Sequence, residues 1–183
     1  MEEKLEAQLR ELAGMIDHTI LKPDATKQKV LEVCQECRDY HFKMIAINSC
    51  QVTLCHHALK GSGVHVGAAI SFPLGQTELN IKLLETEHAI RQGADEIDYV
   101  VNLTELKSGN WDLVRKEMDR ITRLCHQYGK ICKVIFETCY LSEEEIIRLA
   151  QIAREVKPDF IKTSTGFGPA GATAKDVFIM KHE

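Results

Sequence analysis

Six short segments rich in β-branched and aromatic residues, at 15–21, 44–47, 64–71, 96–102, 131–137 and 159–166, alternate along the chain with stretches of helical periodicity. A strand about every 25 to 35 residues is the rhythm of repeated βαβ units around a parallel sheet. The intervening stretches carry their own stop and start signals. Thr26 can cap a helix whose apolar stripe is Val30, Val33, Cys34 and Cys37, and Ser142 with Glu145 forms a capping box ahead of Ile146, Leu149, Ala150, Ala153 and Val156. Thr77 is expected to open a helix that ends at Gly93, and residues 110–128 form a continuous stripe from Trp111 to Tyr128. Two architectures satisfy this order, a doubly wound open sheet and an eight-stranded β/α barrel. The lack of a G-x-G-x-x-G run after the first strand lowers the open dinucleotide-binding sheet.

The 183 residues fit one domain, 1–183, with no linker or low-complexity stretch. A net charge of -4 provides no general attraction for nucleic acid or an anionic membrane, so a small-molecule partner is expected. The charged, helix-patterned N-terminus and the absence of a long apolar run point to a cytoplasmic protein. Seven cysteines include a C-x-x-C at Cys34 and Cys37, with Cys50, Cys55, His56 and His57 following. A zinc site is the weaker reading, because Cys34 and Cys37 fall on an apolar helix stripe where thiols pack as small hydrophobes.

Period-two alternation puts Glu96, Asp98, Val100 and Asn102 on one strand face, Lys133, Ile135 and Glu137 on another, and Phe160, Lys162 and Ser164 on a third. Three successive strands therefore carry ionisable residues among apolar neighbours. Asp98 with Lys133, or Glu137 with Lys162, would make structural ion pairs, but desolvation makes such pairs a costly filling for an interior. A lysine in a partly dry pocket beside a second cation becomes a neutral amine able to attack a carbonyl. An iminium formed there draws electrons from the adjacent carbon, and a carboxylate such as Asp98 can move the required protons. The residues thus reach class I aldolase chemistry, with Lys162 expected as a buried mid-strand amine.

The segments IDHTILKP at 16–23, SFPLG at 71–75, ADEIDYVVN at 94–102, KVIFE at 133–137 and DFIKTSTG at 159–166 resemble the deoxyribose-phosphate aldolase family, in order and over essentially the whole chain. The resemblance implies an α/β (β/α)8 TIM barrel that cleaves 2-deoxy-D-ribose 5-phosphate reversibly into D-glyceraldehyde 3-phosphate and acetaldehyde, with no metal and no cofactor. It implies Lys162 as the Schiff-base lysine, Asp98 as the acid/base aspartate and Lys133 as the lysine of the same pocket. Thr163, Ser164 and Gly166 fall in its substrate-phosphate loop, where backbone N–H groups approach an anion.

Two departures accompany the resemblance. Ala46 stands where many members have a cysteine, and a second active-site lysine on the seventh strand has no counterpart up to Glu183. A barrel C-terminally incomplete, with about six of eight βα units, is expected to expose sheet edges and to form a possible homo-oligomer. Weak or no aldolase activity is expected with it. The alternatives are another Schiff-base sugar-phosphate aldolase and an inactive barrel fragment serving as a binding or assembly module. His18 is balanced between substrate contact and a local structural role.

Overall fold

The computed structural model describes residues 2–183, with side chains from Lys4 onward. After helix α1 (Glu2–Ala13) come β1 (Asp17–Ile20), α2 (Lys27–Tyr40), β2 (Met44–Asn48), α3 (Val52–Ala58), β3 (His65–Ile70), α4 (Leu79–Arg91) and β4 (Glu96–Val100). The chain continues through α5 (Leu103–Lys107), α6 (Trp111–Gln127), β5 (Ile131–Ile135), α7 (Glu143–Val156), β6 (Phe160–Lys162) and α8 (Ala174–His182). The strands lie in sequence order in one sheet, and every neighbouring pair is parallel. This is the alternating β/α architecture expected from the pattern.

Local signals set most helix boundaries. Thr26 accepts from Lys29 N–H at the start of α2, and Ser142 and Glu145 form both halves of a capping box at α7. Thr77 does not open α4. Its hydroxyl is bonded to Ser71 at 2.8 Å, and the helix begins two residues later after Glu78. The fourth strand stops at Val100 rather than Asn102, because the Asn102 side chain caps α5 by accepting from Thr104 and Glu105 N–H.

The two sheet faces divide the chemistry. Ile45, Ile47, Val66, Ala68, Ile70, Ile97, Tyr99, Val101, Cys132, Val134 and Phe136 pack outward against the helices in one apolar cluster. Burying each such large side chain contributes roughly 1.5–3 kcal/mol before chain entropy is counted. Cys34, Cys37 and Cys55 sit in the same cluster, and burial pushes the Cys37 thiol up to about 12. Among the described residues no group of three or more His, Cys, Asp or Glu is arranged to hold a metal ion.

The inner face carries Met44, Ala46, Gly67, Ala69, Glu96, Asp98 and Lys133. Its curvature is visible in the contacts of Lys133. Strands lie about 4.8 Å apart, so in a flat sheet β1 and β5 would be separated by roughly 19 Å, beyond side-chain reach. Lys133 Nζ is nevertheless 3.2 Å from Asp17 Oδ2 on β1 and 3.3 Å from Met44 Sδ on β2. The sheet is curled into a half-barrel around these residues. Gly67 permits the inward packing of Met44, because a Cβ at position 67 would stand 2.2 Å from Met44 Sδ.

Candidate active site

Strand register brings the sequence-selected residues together. Asp98 on β4 lies directly opposite Lys133 on β5, and Ile135 lies opposite Lys162 on β6. Lys162 Nζ donates to Asp98 Oδ2 at 2.9 Å, and Lys133 Nζ is 3.5 Å from Asp98 Oδ1. Lys133 also donates to Glu96. Burial opposes the Lys133 ammonium, but Asp98, Glu96 and Asp17 outweigh it and hold its pKa above the ordinary lysine value.

Lys162 differs from the expectation of a buried mid-strand amine. Its side chain is 34% exposed, because β6 is an outermost strand of this sheet and Phe160 beside it is also open. Its carboxylate partner is Asp98 and not Glu137. Lys133 meets its charge in three carboxylates, so the expected second cation is itself well neutralised.

Two buried polar atoms here lack hydrogen-bond partners among the described residues, Asp98 Oδ1 and Ser164 Oγ. An unpaired buried polar atom costs about 1–3 kcal/mol, which is recovered if a bound molecule supplies the missing bond.

The segment after β6 is tied to the loop after β5. Glu137 adopts a left-handed backbone conformation with φ 55 and accepts from Thr165 N–H at 3.1 Å and from the Thr165 hydroxyl. Thr163 accepts from Thr138 N–H at 2.9 Å through its carbonyl. Gly166 has φ +87, and no atom lies within 4 Å of where its Cβ would stand, so a glycine is needed there and the space beside it is open. A cavity of about 600 Å³ lies alongside, at the loops following β3 to β6, with Leu74, Leu103, Lys107, Tyr140, Glu137 and Phe167 in its wall. Phe72 and Phe167 meet edge to face at 5.6 Å and link the loops after β3 and β6.

A profile of the DeoC/LacD family aldolases matches residues 12–182. The chain belongs to the DeoC/LacD aldolase family. A deoxyribose-phosphate aldolase from Lactobacillus acidophilus is 51% identical over 173 residues, covering 94% of this chain and 73% of that protein. One from Caldanaerobacter subterraneus is 47% identical over 179 residues, covering 97% of this chain and 78% of that protein. The tetrameric deoxyribose phosphate aldolase from Aeropyrum pernix superposes with a TM-score of 0.86 at 31% identity, covering 93% of this chain and 71% of that one. As a DeoC/LacD aldolase, the chain is a carbon–carbon lyase.

Residues without an assigned role in the sequence also join the candidate site. Asp17 and Glu96 both hold Lys133, and their signal was the same alternation that selected Asp98. Which face of the first strand points inward, and that the sheet curls far enough for it to reach the fifth, lies beyond local pattern. His18 resolves as structural: it points outward, bonded to Glu36 at 2.7 Å and packed on Phe42.

Proposed function

We propose that the chain catalyses reversible cleavage of 2-deoxy-D-ribose 5-phosphate to D-glyceraldehyde 3-phosphate and acetaldehyde, with Lys162 as the Schiff-base amine. The Lys162–Asp98 contact at the mouth of the curled sheet is the observation that carries this reading. The relatives named deoxyribose-phosphate aldolase supply the substrate.

The Lys162 amine attacks the substrate aldehyde carbon, and loss of water leaves an iminium. Asp98 touches Lys162 and is placed to move protons during dehydration and later hydration. Removal of the proton from the C3 hydroxyl lets the C2–C3 bond break. Its electron pair moves into the iminium as an enamine and glyceraldehyde 3-phosphate departs. Protonation of the enamine at C2 and hydrolysis then release acetaldehyde and restore the amine. Lys133 holds Asp98 in place and offsets its charge. Thr163, Ser164 and Gly166 receive the phosphate end, the buried Ser164 hydroxyl offering an unused bond and Gly166 an open approach to backbone.

The six strands are read further as six of the eight staves of a (β/α)8 barrel in one domain over residues 1–183. Support comes from the curl, from the openness of Phe160 at one edge and from the exposed Leu5, Leu9 and Leu12 of α1 at the other. A homo-oligomer is consistent with those exposed apolar residues and with the tetrameric relative. No helix among the described residues is long and apolar enough to cross a membrane, in keeping with a cytoplasmic aldolase.

Borohydride trapping with acetaldehyde tests the function. A stable adduct at Lys162 in the parent, absent from Lys162→Met, is expected, together with cleavage of deoxyribose 5-phosphate in preference to ketose phosphates. Failure of the parent to form any adduct at Lys162 would remove the proposal.

A further inference from the structure

A line of alternating charges crosses the inner face from the amino ends of the strands to Lys162. It begins at His65, the first residue of β3, whose side chain is one-third exposed. His65 shares its inner face with Gly67 and Ala69 by alternation. Its Nδ1 is 2.5 Å from Glu96 Oε1. The other Glu96 oxygen accepts from Lys133, Lys133 reaches Asp98 Oδ1 at 3.5 Å, and Asp98 Oδ2 accepts from Lys162. Glu96 is thus shared between His65 and Lys133, while Asp98 accepts from Lys162 and has Lys133 as a second counter-charge at 3.5 Å.

The cluster has three carboxylates, Asp17, Glu96 and Asp98, against two lysines, Lys133 and Lys162. It carries excess negative charge, which grows when Lys162 gives up its proton to act as an amine. His65 is the basic group that meets Glu96 from outside this set.

We propose that His65 is a positioning residue for the aldolase site, acting through Glu96 and Lys133 to set how strongly Asp98 holds the Lys162 ammonium. With Glu96 held on one oxygen by His65, Lys133 stays shared between Glu96 and Asp98. Without His65, Glu96 draws Lys133 toward itself. Asp98 then has Lys162 as its main counter-charge and holds it in the unreactive ammonium form. This role rests on Lys162 being the reacting amine.

The charged surroundings of His65 are defined on every side. Glu96 meets it from β4, and Asp95, just before that strand, accepts from the neighbouring Val66 N–H at 3.1 Å and is paired with Lys130 at 3.0 Å. His56 and Lys60, on α3 and the turn after it, share with it a shallow cavity of about 290 Å³. Asp17 on β1 and Lys133 on β5 lie behind Glu96.

The test uses the reactivity of Lys162 rather than turnover. Trace acetic anhydride labels neutral amines, and the extent at each lysine is read by peptide mass spectrometry across the neutral and alkaline range, with exposed Lys29 as internal reference. His65→Phe, which cannot donate to Glu96, is expected to lower Lys162 labelling at neutral pH about threefold to tenfold and to move its rise to higher pH. His65→Asn, whose side-chain amide nitrogen sits where the imidazole Nδ1 stands, can still donate to Glu96 and should restore most of the parent profile. His65→Leu is the second breaking variant if the phenylalanine form does not fold, and it should resemble His65→Phe. A Lys162 profile unchanged in the breaking variant overturns the inference. So does equal loss in His65→Asn, which would mark general disruption. Because labelling needs no aldolase activity, failure of acetaldehyde trapping in the parent refutes the proposed reaction separately.

Discussion

Among the described residues, lysine is buried against carboxylate in two places, on opposite faces of the same sheet. Outside the sheet, Lys82 of α4 is fully enclosed; it donates to Glu117 of α6 at 2.7 Å and to Val100 O at 2.8 Å. Glu117 uses its second oxygen for Asn102 N–H at 3.0 Å. Both carboxylate oxygens are occupied and the lysine is sealed from water. Burial lowers the Lys82 pKa and raises that of Glu117 against their mutual attraction. Inside the sheet, Lys162 is partly open, Asp98 Oδ1 and Ser164 Oγ make no hydrogen bond among the described residues, and Lys133 is held by carboxylates. The outer pair is complete without a ligand and ties two helices to the end of β4. The inner cluster is incomplete, and a substrate can finish it. Buried lysine alone therefore does not mark a site; the unfilled hydrogen bonds beside an accessible amine do.

Substitution of the inner amine gives the largest expected effect. Lys162→Met should lower cleavage of deoxyribose 5-phosphate by at least about a thousandfold in steady-state assays while leaving thermal stability within a few degrees of the parent. Asp98→Asn should cost about 10²- to 10⁴-fold in kcat, with imine formation slowed in the same experiment.

The outer pair should show the reverse pattern. Lys82→Met leaves Glu117 buried without its cation and is expected to destabilise by about 3 kcal/mol in urea unfolding. The double change Lys82→Met with Glu117→Leu should recover much of that loss. Equal damage from single and double variants would break the view of this pair as a self-contained structural unit.

Smaller effects lie at the margins of the inner cluster. Gly166→Ala places a side chain at φ +87 and should raise KM for the phosphorylated substrate about fivefold, the equivalent of roughly 1 kcal/mol of backbone strain. The raised pKa of Lys133 gives a signed pH dependence. Its folded-state value exceeds the ordinary 10.5, so its contribution is fully present below that value and is lost as pH rises through the raised one. Alkaline unfolding followed by circular dichroism should show this loss in the parent, and Lys133→Met should lack it.

The inner face was readable because alternation is a local property. Asp98, Lys133 and Lys162 share the inward face of their strands by alternation, and parallel register sets Asp98 against Lys133 with Lys162 two residues further along, opposite Ile135. Caps at Thr26 and Ser142 were readable for the same reason, since each bond spans only three residues. What local pattern could not reveal depends on the closing of the sheet: Asp17 reaching Lys133, the openness of Lys162 on an outermost strand, and Asp98 instead of Glu137 as its partner. Thr77 misled because its hydroxyl had a competing partner in Ser71 that a capping rule does not see. The Lys82–Glu117 pair was hidden for a further reason, since a lysine on an amphipathic helix reads as solvent-facing until a second helix is laid against it.

The reach of Asp17 across to Lys133 also bears on how the molecule is made. The two residues come from distant parts of the sequence, and their contact exists only once the intervening strands have paired and bent. Closing so long a loop is entropically costly and such contacts form slowly. Helices and neighbouring strand pairs can therefore assemble early around an apolar outer layer, while the charges on the concave side meet at the end. During synthesis or refolding, the capacity for chemistry should lag behind the appearance of secondary structure.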